Sequence, residues 1–373
     1  GLYTSPHLED YAERIQVDGI PIPHEDLVAL VDEIKPQIAN SPEITTFEIT
    51  TALAFLYFSR LKVDVSVMEV GLGGRLDATN VCQPDVTVIT SISYDHTYLL
   101  GETLAEIAGE KAGILKPGIP LVLSPQVEEA RRSILHIAAE RSVPVVEVGR
   151  NYLYRPLDRS LTGQQLEVWS AGSNGKESSP VELSIPFLGD HQLVNAATAY
   201  AALMVARKNG IEVSIPGIKE GFRSVQWPGR FEILQQDPAM IIDSAHNQDS
   251  AQKLHKVLQD YFPGQKVVLV FGASEDKDIS GMLSELKPAI HQIVATKSSH
   301  PRAADPGDLA ALAEKLNIKA VTCSSVEDAM TEAERLADGS RIILVTGSIF
   351  VAAAARSVWM AAESGKDRAV IGK

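Results

Sequence analysis

The chain has 373 residues, 34 Lys and Arg against 48 Asp and Glu, a formal charge of −14, and 45% hydrophobic residues. This composition excludes a disordered chain, and the acidic balance argues against nucleic acid or anionic membrane as partners, since both need clustered cations. Small anionic ligands remain compatible, because a local site can be positive on an acidic protein. No apolar run reaches the ~18 residues of a membrane-crossing helix. Cys82 and Cys323 lie far apart and fit no metal spacing, so a reducing, cytoplasmic compartment is expected. The length predicts two domains.

Helix-period and strand-like segments alternate along the chain. A helix is predicted over 47–60, then strands over 63–70, 86–92 and 120–123, a helix over 127–140 and a strand over 143–148. Residues 161–187 break the alternation and read as an antiparallel hairpin or small sheet on the edge of the first domain. An alanine-rich helix over 190–206 precedes a Pro- and Gly-bearing stretch, 211–229. A fresh series then begins: strands over 240–243, 266–271, 292–296 and 341–345, and helices over 250–261, 306–316 and 326–336. Such alternation predicts an α/β fold with mostly parallel sheets, divided near residue 229 into domains 1–229 and 230–373.

Three polar clusters sit where apolar runs end or at the foot of a short helix: Glu69-Val-Gly-Leu-Gly-Gly-Arg-Leu-Asp-Ala-Thr-Asn80, Asp95-His96, and Glu110-Lys111. Ligands of open α/β sheets bind at the carboxyl ends of strands. Taken alone, Glu69 reads as a cap or ion-pair partner, His96 as a satisfied histidine and Lys111 as a complement to a helix dipole. Together, amid glycines that admit close backbone approach, they predict a metal and phosphate site. Ser5, held extended before Pro6, could add a hydroxyl ligand for Mg²⁺ or cap a turn. In the second half Asp243-Ser-Ala-His246-Asn247 follows a strand and enters a helix capped by Asn247, Asp249 or Ser250. That pattern suits a ribose and phosphate site, although Asp243 could be a simple cap.

Two glycine patterns are decoys. Residues 172–178 superficially resemble a phosphate loop, but Ala171 stands where the first glycine belongs and Glu177 where Ser or Thr belongs; Asn174-Gly175 reads as a hairpin turn. Gly71, Gly73 and Gly74 fail the dinucleotide fingerprint because its third glycine would fall at Leu76.

Taken with Leu2–Leu8, Glu13-Arg14-Ile15, His191-Gln192 and Trp227-Pro-Gly-Arg230, these motifs resemble, in order, those of the dihydrofolate synthase/folylpolyglutamate synthase family within the Mur-ligase superfamily of ATP-dependent ligases. The resemblance implies a phosphate-loop-type central domain with a small antiparallel edge sheet, followed by a Rossmann-like C-terminal domain. It implies a monomer that uses ATP as co-substrate, two Mg²⁺ sites and K⁺ as an additional candidate cation. L-glutamate would be joined to dihydropteroate, or to the γ-carboxylate of tetrahydrofolate, through an acyl phosphate. Carried over, Ser5 and Glu69 would hold one Mg²⁺ and His96 the second, with Lys111 carbamylated beside it. Asn195 would contact adenine, and Arg230 and Asp243 would contact ATP, with His246 nearby as a further catalytic candidate. Thr45, Thr46, Phe47 and Glu48, with Leu76, Asp77 and Ala78, would line the pterin pocket.

The family's phosphate loop precedes the Thr4-Ser-Pro-His7 segment, so the chain beginning at Gly1 is expected to be truncated, with an unpaired sheet edge, weak MgATP binding and no turnover of its own. Two alternatives stand beside the ligase. One is another Mur-type amide ligase acting on peptidoglycan precursors; the other is a non-catalytic folate- or nucleotide-binding protein.

Overall fold

The computed structural model describes residues 1–172 and 178–371, with 364–371 by backbone alone. The predicted Asn174-Gly175 turn lies outside the described residues. The chain divides into two units, Gly1–Glu147 with Met204–Gly210, and Val148–Leu203 with Ile211–Lys373.

The first unit opens with strands β1 (Leu2–Tyr3), β2 (Ile15–Val17) and β3 (Ile20–Pro21), helices α1 (His24–Ala39) and α2 (Thr46–Leu61), and strand β4 (Val67–Met68). These strands form a sheet ordered β3-β2-β1-β4, in which β1 runs antiparallel to β2 and parallel to β4. Thr45 starts α2 through a capping box with Glu48, and Leu53, Ala54 and Phe58 bury its inner face against Tyr3, Ile15 and Leu30. The second half comprises β5 (Thr87–Ile89), α3 (Thr97–Leu100), α4 (Leu104–Lys111), β6 (Leu121–Leu123), α5 (Glu128–Glu140) and β7 (Val145–Glu147). Its strands make a parallel sheet, β5-β6-β7, whose core joins Leu121 and Leu123 to Ile107 of α4 and Ile134 of α5.

The apolar run 63–70 yields only the two residues of β4. A ladder extends only as far as its partner, and β1 offers Leu2 and Tyr3 alone; Val65 and Val67 stay exposed.

In the second unit β8 (Tyr152–Ser160), β9 (Gly163–Ser170) and β10 (Val181–Ile185) form an antiparallel sheet of their own. Helices α6 (Asp190–Lys208), whose residues from Met204 on belong to the first unit, and α7 (Ile215–Ser224) follow. The remaining elements are β11 (Glu232–Gln236), β12 (Ala239–Ile242), α8 (Gln248–Tyr261), β13 (Val267–Phe271), α9 (Ile279–Leu286), β14 (Ile290–Ala295), α10 (Pro306–Lys315), β15 (Ala320–Thr322), α11 (Val326–Ala337), β16 (Ile342–Thr346) and α12 (Ile349–Ile371). They build a six-stranded sheet, β11-β12-β16-β13-β14-β15, parallel except for β11.

Successive residues of these strands feed two cores. Ile241, Leu269 and Leu344 join one, with Leu254 and Met282; Ile242, Val270 and Val345 join the other, with Met330 and Val351. A sheet covered on both faces explains why the strands read as unbroken apolar runs. The Pro- and Gly-bearing stretch 211–229 contains α7. Its Pro216 sits in the first turn, where a missing N–H is harmless, and Ser214 caps the helix by accepting from Gly217 N–H. Among the described residues no helix is long and apolar enough to cross a membrane.

Leu344 is fully buried at the centre of the sheet. Leu344→Ala is expected to lower stability by about 2–5 kcal/mol, read as a fall in the urea midpoint. An unchanged midpoint would contradict this account of the core.

Candidate active site

Strands β1 and β4 deliver Ser5 and Glu69 side by side. Glu69 N–H donates to the Tyr3 carbonyl at 3.0 Å, and Ser5 N–H donates to Glu69 Oε2 at 2.8 Å. A serine hydroxyl next to a carboxylate is a hard-oxygen donor set of the kind Mg²⁺ takes alongside phosphates and waters, so these residues fit that ion. Among the described residues no group of three or more His, Cys, Asp or Glu gathers as a metal cage.

Beyond Glu69 the loop folds back on itself. Asp77 Oδ2 accepts from Gly71 and Leu72 N–H at 3.0 Å each, and Oδ1 accepts from Thr79 N–H at 2.9 Å and its hydroxyl at 2.5 Å. The loop backbone lies flat on the end of α4, where Arg75 N–H donates to the Glu110 carbonyl at 2.9 Å and Arg75 Nε reaches the Glu110 carboxylate at 3.1 Å. A Cβ on Gly113 would stand 2.3 Å from Arg75 Cα, and one on Gly74 would stand 2.9 Å from the Lys111 carbonyl oxygen. Glycine is therefore required at both positions by contact.

This packing fixes Lys111, the last residue of α4. Burial pushes its ammonium below the usual lysine range, and the Asp95 carboxylate opposes that shift. Asp95 Oδ1 also lies 3.8 Å from His96 Nε2, and His96 takes a left-handed φ of +49° as it enters α3. Asp95 thus links the predicted His96 and Lys111, a part the sequence reading did not assign to it.

The predicted pterin-lining residues divide. Phe47 packs against Gly71, where a Cβ would lie 2.4 Å from its ring, and stands 5.9 Å from the Tyr3 ring. Segment 45–48 and loop 71–80 therefore share a contact. The polar groups bind one another instead: Glu48 Oε2 accepts from Thr45 N–H and hydroxyl at 2.7 Å each, and Asp77 serves its own loop. Leu76 is 81% exposed beside them.

In the second unit β12 ends at Asp243, whose Oδ2 accepts from Phe231 N–H at 2.9 Å and Oδ1 from Ala245 N–H at 2.8 Å. Asp243 is therefore no helix cap; Asn247 is, through a capping box with Ser250. Burial raises the Asp243 carboxyl, against these two N–H groups and the Arg230 charge. His246 Nδ1 donates to the Ser244 carbonyl at 3.0 Å, which leaves Nε2 as acceptor in the neutral ring.

Phe231 is 6% exposed and adopts φ +44°, a left-handed conformation that strains a bulky residue by about 1–3 kcal/mol. Asn195 Nδ2 donates to Gln192 Oε1 at 3.1 Å on the first turns of α6. Both line a cavity of about 450 Å³ walled by Phe187, Ala199, Ile218 and Phe222.

His191, at the start of α6, is lowered to about 4 by burial first, then by Lys253 and Arg230. Its folded value lies below the unfolded one, so its contribution is fully present above pH ~6.5 and is lost as pH falls toward 4. His191→Gln is expected to remove about 1–3 kcal/mol of the stability loss between pH 6.5 and 4, measured by urea titration across that window. Parallel stability–pH curves for the two proteins would show that His191 is not held neutral.

Two family models match the chain: the Mur ligase middle domain over residues 25–203 and the Mur ligase, glutamate ligase domain over 229–349. The dihydrofolate synthase/folylpolyglutamate synthase of Bacillus subtilis is 35% identical over 357 residues, covering 94% of this chain and 81% of the relative. The probable bifunctional folylpolyglutamate synthase/dihydropteroate synthase of Haloferax volcanii is 37% identical over 366 residues, and the chain spans 42% of that longer protein. Among solved structures, Mycobacterium tuberculosis folylpolyglutamate synthase complexed with ADP and AMPPCP superposes with a TM-score of 0.86 at 36% identity, covering 96% of this chain and 84% of that one. E. coli FolC in complex with DHPP and ADP gives 0.86 at 33% identity, covering 97% and 82%. With its strand-end carboxylates and cations set on two Mur ligase domains, the chain belongs to the dihydrofolate synthase/folylpolyglutamate synthase family.

Proposed function

We propose that this protein joins L-glutamate to a folate carboxylate at the expense of ATP, releasing ADP and phosphate. The acceptor is dihydropteroate, the γ-carboxylate of tetrahydrofolate, or both. The likeness to relatives named for both activities supports the reading, as does a relative solved with DHPP and ADP. The observation in this chain that carries it is the placement of Ser5, Glu69, Asp95, His96 and Lys111 at strand and helix ends of one unit. In this reading the protein works as a cytoplasmic monomer with two Mg²⁺ sites, domains 1–229 and 230–373, and K⁺ as an accessory cation.

A carboxylate is a poor acylating agent. Its oxygen attacks the γ-phosphorus, the bond to the β-γ bridging oxygen breaks, and ADP leaves; the glutamate amine then attacks the acyl carbon, loses a proton, and phosphate departs with the C–O bond electrons. Bound Mg²⁺ neutralises charge on the phosphates. Ser5 and Glu69 would hold one ion, and His96 the second.

The amine of Lys111 is suited to carbamylation because only the free base attacks CO₂, and burial lowers its pKa. The product replaces a cation by an anionic oxygen donor beside Asp95 and His96. Arg230 and Asn195 would contact the nucleotide, Asp243 would hold the turn that carries Arg230, and His246 Nε2 would accept a proton or hydrogen bond. Phe47, Leu76 and Ala78 would present apolar surface to the pterin, next to Thr45, Thr46, Glu48 and Asp77, with the Thr45–Glu48 box and Asp77 shaping that wall rather than binding.

The test is ADP release by the protein in its full natural length, with MgATP, L-glutamate and either dihydropteroate or tetrahydrofolate. Release that needs both glutamate and a pteroate is expected; release with neither acceptor would overturn the reading. Lys111→Ala is expected to lower kcat by about 10²-fold or more, as loss of a charge stabiliser does, with partial recovery in added bicarbonate or acetate. Full activity in that variant would remove the carbamate from the mechanism.

A further inference from the structure

The turn that carries Arg230 is pinned on every side. Gly229 N–H donates to Glu232 Oε2 at 2.8 Å, and the Gly229 carbonyl accepts from Ser244 N–H and from the Ser244 hydroxyl at 2.9 Å each. On the other side Phe231 N–H is bound to Asp243 at 2.9 Å. Gly229, at φ +76°, and Phe231, at φ +44°, are both left-handed and buried, whereas Arg230 between them is exposed.

Strained backbone of this kind persists only where its surroundings over-determine it. One part of those surroundings is an ion pair drawn from a distant element. Arg356, on α12, donates through Nε to both oxygens of Glu232 at 3.1 Å, with the two side chains 18% and 22% exposed. The same Glu232 carboxylate thus binds Arg356 and the Gly229 N–H at once.

We propose that Glu232 and Arg356 are positioning residues for the nucleotide site, acting through Arg230 by locking the Gly229–Phe231 turn. The inference rests on the reading of Arg230 as a nucleotide contact. Neither Glu232 nor Arg356 touches the ligand; each acts by restricting where the Arg230 guanidinium can stand. Loosening the turn leaves the Arg230 charge in place but makes its order a cost of binding, so nucleotide affinity falls while the chemical step changes little.

A double-mutant cycle with ADP as the probe tests this, because residues that act through one another are non-additive. Glu232→Gln keeps an acceptor for Gly229 N–H but loses the charge that holds Arg356, and Arg356→Lys keeps the charge but loses the Nε donor. Each is expected to weaken ADP binding about tenfold by calorimetry and to raise KM for ATP similarly, with kcat within about twofold. In an Arg230→Ala background the same substitutions are expected to change ADP binding by less than about twofold.

Equal weakening in both backgrounds, or no weakening in proteins whose thermal midpoints show them folded, would overturn the proposal. Arg230→Ala alone decides the underlying reading: unchanged ADP binding there would remove Arg230 from the nucleotide site, and the inference with it. Should Glu232→Gln fail to fold, Arg356→Lys carries the cycle by itself.

Discussion

The first unit's candidate site depends on one carboxylate that serves its own loop. Asp77 accepts four hydrogens from its own loop, two on each oxygen, which fills its acceptor positions and curls 71–79 into a closed turn. The curled loop lies so close to the end of α4 and the residues after it that a Cβ at Gly113 would meet Arg75 and one at Gly74 the Lys111 carbonyl. The Arg75–Glu110 contacts follow from that approach. So does the position of Lys111, whose helix end is held by the loop on one side and on the other by Arg141, which donates to the Leu115 carbonyl at 2.9 Å. A long, rotamer-rich side chain reaches a defined place only if its Cα is fixed, and here contacts from both sides fix it.

The second unit solves the same problem with the same chemistry. Asp243 gathers two backbone N–H groups, but one of them, Phe231, lies across an antiparallel pair rather than in the following turn. The short aspartate side chain suits both places because it reaches neighbouring N–H groups without spare length. A carboxylate used in this way is scaffold. Its partial neutralisation by N–H dipoles, and at Asp243 by the Arg230 charge, is what allows it to sit half-buried without a full counter-ion. The strand-end position that makes an aspartate look like a ligand is therefore also one from which it can order the backbone around it.

Those two uses look identical in sequence, and this sets what could be read there. The parallel strands were legible because both faces are buried: the predicted 266–271 and 341–345 appear as Val267–Phe271 and Ile342–Thr346. The places of Glu69 and Asp243 at strand ends and of Lys111 at a helix end were legible as well. What escaped depends on partners distant in the chain or on ambiguous punctuation. Strand β11, Glu-Ile-Leu-Gln-Gln, is too polar to announce itself and exists through its pairing with β12. Helix α7 hides behind Pro216, Gly217 and Gly221, which punctuate a loop as readily as a helix start. Thr45 and Glu48 do carry a visible capping-box spacing, but in a motif already taken for a binding segment. No spacing rule points from Glu232 to Arg356.

Electrostatics explains why positioning matters so much in this molecule. The chain carries a formal charge of −14, so its distant field opposes an anionic nucleotide. At physiological ionic strength that field is screened beyond about 8 Å, and only nearby charges decide binding. Near His191 those are Arg230 and Lys253 against Asp190 and Asp249, and Lys253 is already paired to Asp249 at 2.6 Å. A neutral His191 adds no repulsion and no attraction. Arg230 is exposed on its pinned turn, and if it contacts the nucleotide as proposed, where it stands counts for more than how many cations surround it.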